Sequence, residues 1–400
     1  MKSIMVIPSY WSRETSIGWK EGDAIYDHPT PLDKQGTIKR LLQSINTLNQ
    51  KNFELIILAV PTSTEISKAV EEKVQRIVSS VTIPVKTSVI GPTHINQIKD
   101  HYRKENKKEF ADLITLTGYS NIRNLCLLLP AIKKADMAIL IDDDEVFHDP
   151  HYIKKATEHF QLPINDKLDY GIAGYYVNEH QDYLVQKPFS PWMKYWNKYE
   201  KMNEAFKQII GSPPRIKQTP FVFGGNMIIP KTLYSKILFD PNVPRGEDID
   251  YLMNARLYGY TFYLDNRLAI THLPPPKSHP TWKRLREDIF RFAYEREKIR
   301  NQKQNTTKKI IKPEDFDPYP GCFLKNDLEE RIIHSNKILA EEYKSKNDTT
   351  GYNEAIKNTN IKELHAIPSF NPMETYDSLR KTWEELIEDV LHHDFSMILP

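Results

Sequence analysis

Glycine is scarce in this chain, with 14 residues in 400, about half the usual share of ~7%. An enzyme that cradles phosphates with backbone N–H groups needs glycines clustered in one loop, so the low count argues against that design. The two cysteines, Cys126 and Cys322, exclude a disulfide scaffold and a multi-thiolate zinc site. They fit a reducing, cytoplasmic setting. No run of 18 apolar residues occurs, so the expectation is a soluble protein or one at most peripheral to a membrane. An excess of one charge is missing too: 55 Lys+Arg stand against 53 Asp+Glu. Without a global basic field, no nucleic-acid partner is expected. The apolar stretch in MKSIMVIPSYW is too short for a signal h-region and reads as a strand.

What is present reads as an alternating α/β chain. The length suits two or three domains, or one large α/β domain with an appendage. SIMVIP at 3–8 is a short apolar run ended by Pro8, the pattern of a buried first strand in a parallel sheet. Residues 9–35 lack periodicity and form a long loop, of the kind that is usually functional or disordered. Ile38, Leu41, Leu42, Ile45 and Leu48 are spaced helically, and FELIILAV at 53–60 is a second buried strand, which completes a βαβ unit. A helix over 64–80 and a strand in IPVKTSVI follow, then a Lys-rich stretch at 97–110 expected on the surface. A helix over 121–135 leads into the strand MAILI at 137–141, and YGIAGYYV gives another strand. FVFGGNMIIP is apolar around paired glycines, IDYLMNARLYGY reads as a short amphipathic helix, and TFYLDNRLAITH gives one or two last strands before the prolines at 274–276. Beyond 281 the chain is Lys/Glu-rich, with helical spacing in 283–300, 326–345 and 375–392. The expected organisation is therefore a domain at 1–280 and a helical C-terminal region at 281–400.

Four constellations carry chemistry. MAILI runs directly into Asp142, Asp143, Asp144 and Glu145. In open parallel sheets ligands bind beyond the carboxyl ends of strands. Strand alternation points Asp142 and Asp144 the same way, and clustered carboxylates of this kind suit Mg²⁺ or Mn²⁺ holding a diphosphate. The plain alternative is an acidic turn that caps the next helix. In RGEDID at 245–250, Glu247 and Asp248 open a helix; they either cap it or offer a general base to a substrate hydroxyl. His272 closes the last strand, where an imidazole could join the Asp142 and Asp144 site as a metal ligand. In GYSNIRN at 118–124, Arg123 has the planar fork that grips a phosphate or base.

In order, these pieces resemble the nucleotide-sugar glycosyltransferases with the GT-A fold, particularly the large family-2 group, over about residues 3–275. The resemblance rests on SIMVIPSY, on IRN at 122–124, on ILIDDDE as an Asp-x-Asp strand end, on GGNMIIPKTLY, and on GEDIDYLMNARLYGY. It implies a Rossmann-like, mostly parallel sheet flanked by helices. The implied partners are a UDP- or GDP-type sugar donor and a glycan or small hydroxyl acceptor, with Mn²⁺ or Mg²⁺ as cofactor. Asp142, Asp144 and His272 would hold the metal. Pro8, Arg123, Asp142, Asp143 and Gly225 would contact the donor, with Gly224 and Gly225 letting backbone approach the sugar. Asp248, with Glu247 beside it, would act as the base of an inverting transfer, whereas His272 as a metal ligand is also similar to retaining relatives, so both outcomes stay open.

Two features depart from that family. The acid usual after the second strand is replaced by Pro61, Thr62, Ser63 and Thr64. The loop 9–35, with Arg13, Trp19, Tyr26 and His28, is long enough to form a lid or part of the pocket. Two other functions remain open at this level. A sugar nucleotidyltransferase would carry a Gly-rich loop after the first strand, whereas PSYWSRETSIGWKEG has only isolated glycines. A catalytically silent glycan-binding module would use Trp192, Tyr195, Trp196 and Tyr199, although aromatics at helical spacing usually build core. The C-terminal region could dimerise, cover the acceptor cleft, or touch a membrane through its basic stretch at 283–312.

Overall fold

The computed structural model describes residues 1–161, 164, 169–275, 279–303 and 308–399. The last proline of the run at 274–276 and residues 304–307 of the basic stretch lie outside these. Ten strands form one sheet: β1 (Ser3–Ser12), β2 (Thr30–Pro31), β3 (Phe53–Pro61), β4 (Thr87–Ile90), β5 (Met137–Ile141), β6 (Glu145–Val146), β7 (Tyr170–Val177), β8 (Ile216–Gln218), β9 (Asn226–Pro230) and β10 (Thr261–His272). Their order is β4-β3-β1-β5-β9-β7-β10-β6, with β2 beside β1 and β8 beside β10. The β4-β3-β1-β5 half is parallel. β9 runs antiparallel to both of its neighbours, and β7 pairs with β10 in parallel.

The helices are α1 (Ile38–Ser44), α2 (Ser67–Ser79), α3 (Pro92–Lys104), α4 (Lys108–Leu113), α5 (Tyr119–Ile132), α6 (Tyr152–Glu158), α7 (Lys198–Ile209), α8 (Lys231–Tyr234), α9 (Glu247–Leu257), α10 (Thr281–Arg300), α11 (Leu328–Ser345), α12 (Thr349–Lys357) and α13 (Pro372–His392). The apolar strand runs are buried on both sides, and alternation divides them. Met5, Ile7, Ile57 and Ile139 join α1, α2 and α6 on one face. Ile4, Val6, Leu58 and Leu140 pack on the other with α5. Phe292, Tyr376 and Trp383 of α10 and α13 belong to that same second cluster, so the C-terminal helices share a core with the sheet. Cys126 and Cys322 are free and buried. Among the described residues, no helix is long and apolar enough to cross a membrane.

Two local expectations change and two others are sharpened. β1 does not stop at Pro8 but continues to Ser12. β5 accompanies β1 only as far as Val6, so Pro8 has a strand neighbour on one side, where a residue without an N–H is tolerated. The stretch 97–110 lies mostly on the surface, as expected, but as the outer sides of α3 and α4, which bury Ile98, Tyr102 and Phe110. α9 is not amphipathic. Asp250 and Asn254 are buried along with Tyr251, Leu252 and Met253, because α10 covers the polar side and supplies Lys298 to it. The final strand segment is a single strand, β10, bulged between Leu264 and Ala269.

Candidate active site

The strand registers bring five chain segments to one edge of the sheet. Ile141, at the end of β5, pairs with Asn226 at the start of β9, so Asp142 and Gly225 emerge side by side. At the end of β10, His272 pairs with Glu145. β1 contributes Ser9, which donates to Asp143 Oδ2 at 2.7 Å. α9 adds Glu247 and Asp248.

Arg123 organises the centre. Its guanidinium grips Asp142 through two nitrogens, at 2.8 Å and 3.0 Å. Its Nε also reaches Glu247 Oε1 at 3.3 Å. A bidentate, charge-assisted pair of this kind is geometrically specific, and with the arginine side chain buried it links the end of β5 rigidly to the start of α9. Burial raises the Glu247 carboxyl above its ordinary range, against the pull of Arg123.

Asp144 faces the other way. Its Oδ2 lies 3.3 Å from His272 Nε2. Burial opposes its ionisation, yet the hydrogen bond and charge of His272 hold its pKa below the ordinary carboxylate value. The His272 ring stacks on Tyr176 with centroids 4.6 Å apart, and the Tyr176 hydroxyl accepts the Gly225 N–H at 2.8 Å. Asp143 is pushed up to about 8, chiefly by burial and then by the neighbouring Asp144. The structure thus pairs Asp144 with His272 and sets Asp142 apart on Arg123. Among the described residues, the donor atoms of Asp142, Asp144 and His272 do not converge as one three-ligand group.

Asp248 Oδ2 accepts the Gly224 N–H at 3.0 Å, and the side chain is half-buried, whereas Glu247 is buried. Gly225 has no room for a side chain: a Cβ would overlap Glu145 Oε1 and lie 2.6 Å from Asp142 Oδ2. Pro8 is buried within β1; the β1 residues beside the acids are Ser9 and Tyr10. The Tyr10 hydroxyl is buried without a hydrogen-bond partner, and burial, aided by the charge of Asp142 and opposed by that of Arg123, raises it well above its ordinary pKa.

A family model for "glycosyltransferase like family 2" matches residues 32–294. The chain belongs to this glycosyltransferase family. No match is found among curated proteins. Similar solved structures include the mannosyltransferase PcManGT from Pyrobaculum calidifontis in complex with GDP-Man and Mn²⁺, at 11% identity and TM-score 0.42, covering 98% of this chain and 87% of that one. A mycobacterial protein is similar at 12% identity and TM-score 0.40, covering 73% and 72%. GalNAc-T7 with UDP, GalNAc and Mn²⁺ is similar at 14% and 0.36, covering 74% and 50%. Scores this low carry no residue-level correspondence, so the site of this glycosyltransferase is read from its own side chains.

Sequence reasoning missed Tyr10, Tyr176 and Glu145. Tyr176 could have been found by position, since it is the last but one residue of the strand YGIAGYYV. Glu145 gave no such signal: it looks like the fourth acid of a run, yet it is fully buried and accepts the Asp142 N–H at 3.1 Å. The expected loop 9–35 is shorter, since 9–12 belong to β1 and Thr30–Pro31 form β2, and the segment between them is tied down at both ends. Arg13 binds Asp23 and Glu65. Asp27 pairs with Arg245 at 2.9 Å, which anchors the loop beside α9. Tyr119 packs edge-on against Tyr10 and Tyr26, whose rings are tilted to each other at 49°.

Proposed function

We propose that the enzyme moves a sugar from a nucleoside diphosphate sugar of the UDP or GDP type to a hydroxyl of a glycan or small-molecule acceptor. In this reading it acts with inversion and with Mn²⁺ or Mg²⁺ as cofactor. The observation that carries the proposal is Arg123 held between Asp142 and Glu247. It joins a strand-end carboxylate suited to a donor and a helix-start carboxylate suited to an acceptor in one pocket.

The residues fit a divalent cation. Asp144 and His272 supply an oxygen and a nitrogen 3.3 Å apart, close to the ~3 Å between adjacent ligands of an octahedral ion with bonds of about 2.1 Å. Glu145 Oε1 is buried nearby without a partner. When bound, the cation would screen the charge that gathers on the departing diphosphate. Arg123 orients Asp142 at the donor side. Gly225 lets the donor approach the backbone there.

Asp248 is the base. Its carboxylate is oriented by the Gly224 N–H and remains accessible, whereas Glu247 is buried and tied to Arg123. As the acceptor oxygen bonds to the anomeric carbon and the bond to the diphosphate breaks, the hydroxyl proton passes to Asp248. Glu247 positions Arg123 and the helix start.

The test is transfer or hydrolysis from a panel of UDP- and GDP-sugars with and without Mn²⁺, with the product anomer assigned by NMR. Cation-dependent turnover that disappears in Asp144→Ala is expected. Binding of nucleotide sugars without a cation, with no turnover under any condition, would sink the reading.

A further inference from the structure

A cleft of about 280 Å³ opens between the segment 187–199, α10 and α11. It adjoins a second hollow of about 220 Å³ through the shared residues Lys187, Met193, Trp196 and Tyr199. We propose that this continuous cleft is the subsite for the body of the acceptor, and that it takes a saccharide bearing an anionic group. The proposal rests on the glycosyl-transfer reading and names the acceptor class for it.

The lining is chemically that of a sugar site. Aromatic rings of Trp192, Tyr199 and Tyr343 supply flat apolar faces, and Phe189 stands 75% exposed at the second hollow. Three polar atoms in the wall are buried without a partner: Trp196 Nε1, Arg284 Nε and Glu342 Oε1. Buried polar groups are normally satisfied. Two donors and one acceptor in the wall thus lack a protein partner, and hydroxyl groups both donate and accept.

Charge selects among saccharides. Lys187, Lys198, Arg284 and Lys346 line the two hollows against Asp288, Glu342 and Glu200. Asp288 is already neutralised by Lys198 at 2.6 Å. The remaining balance is positive, which favours a carboxylate or phosphate on the sugar.

Position links the cleft to the chemistry. Thr281, Arg284, Leu285 and Asp288 of α10 line it. One turn further along, Arg291 lies against Gly246, where a Cβ would overlap its guanidinium. Gly246 has φ +74° and immediately precedes Glu247 and Asp248. At 1.5 Å per residue, Arg284 and Arg291 are about 10 Å apart along the helix, so a bound chain could reach Asp248 with its terminal hydroxyl.

The experiment is calorimetric titration of the full chain with a tetragalacturonide, a phosphorylated tetrasaccharide and a neutral tetrasaccharide. It is run on the wild type and on Lys187→Glu/Lys346→Glu, which alters two exposed side chains. Thermal shift with UDP, GDP and Mn²⁺ is measured in parallel on both proteins. At least tenfold tighter binding of an anionic probe than the neutral one, lost tenfold or more in the variant while its nucleotide response is intact, supports the proposal. Which anionic probe binds identifies the group as carboxylate or phosphate. Equal binding of neutral and anionic probes, no binding of any, or binding unchanged in the variant overturns it. Saccharide binding that meets these criteria in a protein with no nucleotide response would refute the donor reading and leave the cleft as a glycan site.

Discussion

Lys298 of α10 lies 2.7 Å from Asp250 of α9, with both side chains at most 1% exposed. The same ammonium is 2.7 Å from Asp240 and sits over the rings of Tyr294 and Tyr376. Burial alone would lower the lysine pKa, but Asp240 and Asp250 hold it above its ordinary value. The C-terminal region is thereby fastened to the helix that begins with Glu247 and Asp248.

Breaking that contact should be costly. Lys298→Met leaves two buried carboxylates without their cation, and removing one partner of a buried pair costs about 3–5 kcal/mol. Urea unfolding should show a loss of that order, and a change below ~1 kcal/mol would mean that the acids find other partners.

The pair Asp144 and His272 predicts a graded metal response. His272→Ala should weaken Mn²⁺ binding at least about tenfold, near ~1.4 kcal/mol, while Asp144→Ala should abolish turnover. Calorimetric titration with Mn²⁺ checks the first, and unchanged affinity would reduce His272 to a stacking partner of Tyr176.

Asp248→Asn keeps the shape and the Gly224 contact but removes the base. Donor affinity should persist while kcat falls about 10²–10⁴-fold. Loss of donor binding instead would show that Asp248 serves as a helix cap.

Gly225→Ala should damage the site directly, since its Cβ would meet Glu145 and Asp142. Overpacking of this kind costs about 1–3 kcal/mol, and nucleotide-induced thermal shift should disappear with it. A variant with wild-type stability and shift would contradict the tight approach at β9.

Glu295 predicts a pH effect away from the proposed metal ligands. Burial pushes it up to about 7, against the hydrogen bond and charge of Arg291. For an acid raised in the folded state, the stabilisation is complete below the unfolded value of about 4.3 and is lost as pH climbs to about 7. Over that window Glu295→Gln should gain about 3–4 kcal/mol relative to wild type. Parallel denaturation curves from pH 4 to pH 8 test this, and a pH-independent difference would rule it out.

Much of the fold was legible because its cues are local. SIMVIP, FELIILAV and MAILI are apolar runs that only a sheet covered on both faces can accommodate, and the acids after MAILI mark the carboxyl edge where ligands bind. The order of IRN, IDDDE, GGN and GED pointed to the glycosyltransferase family before any geometry. Periodicity misled where a later segment completes an element: α9 looked amphipathic because Lys298, 48 residues beyond Asp250, was not visible as its partner.

The site itself was decided by tertiary structure. Nothing near Asp142 in the chain announces that Arg123 will hold it together with Glu247, 124 residues from that arginine. Nor does the even spacing of Asp142 and Asp144 show that one faces Arg123 and the other His272. Composition and alternation act over a few residues and set which segments become strands, helices and acidic ends. Ion pairing and desolvation depend on which ends the β5-β9-β7-β10-β6 order makes neighbours, and only the assembled sheet, with α10 packed against α9, determines that.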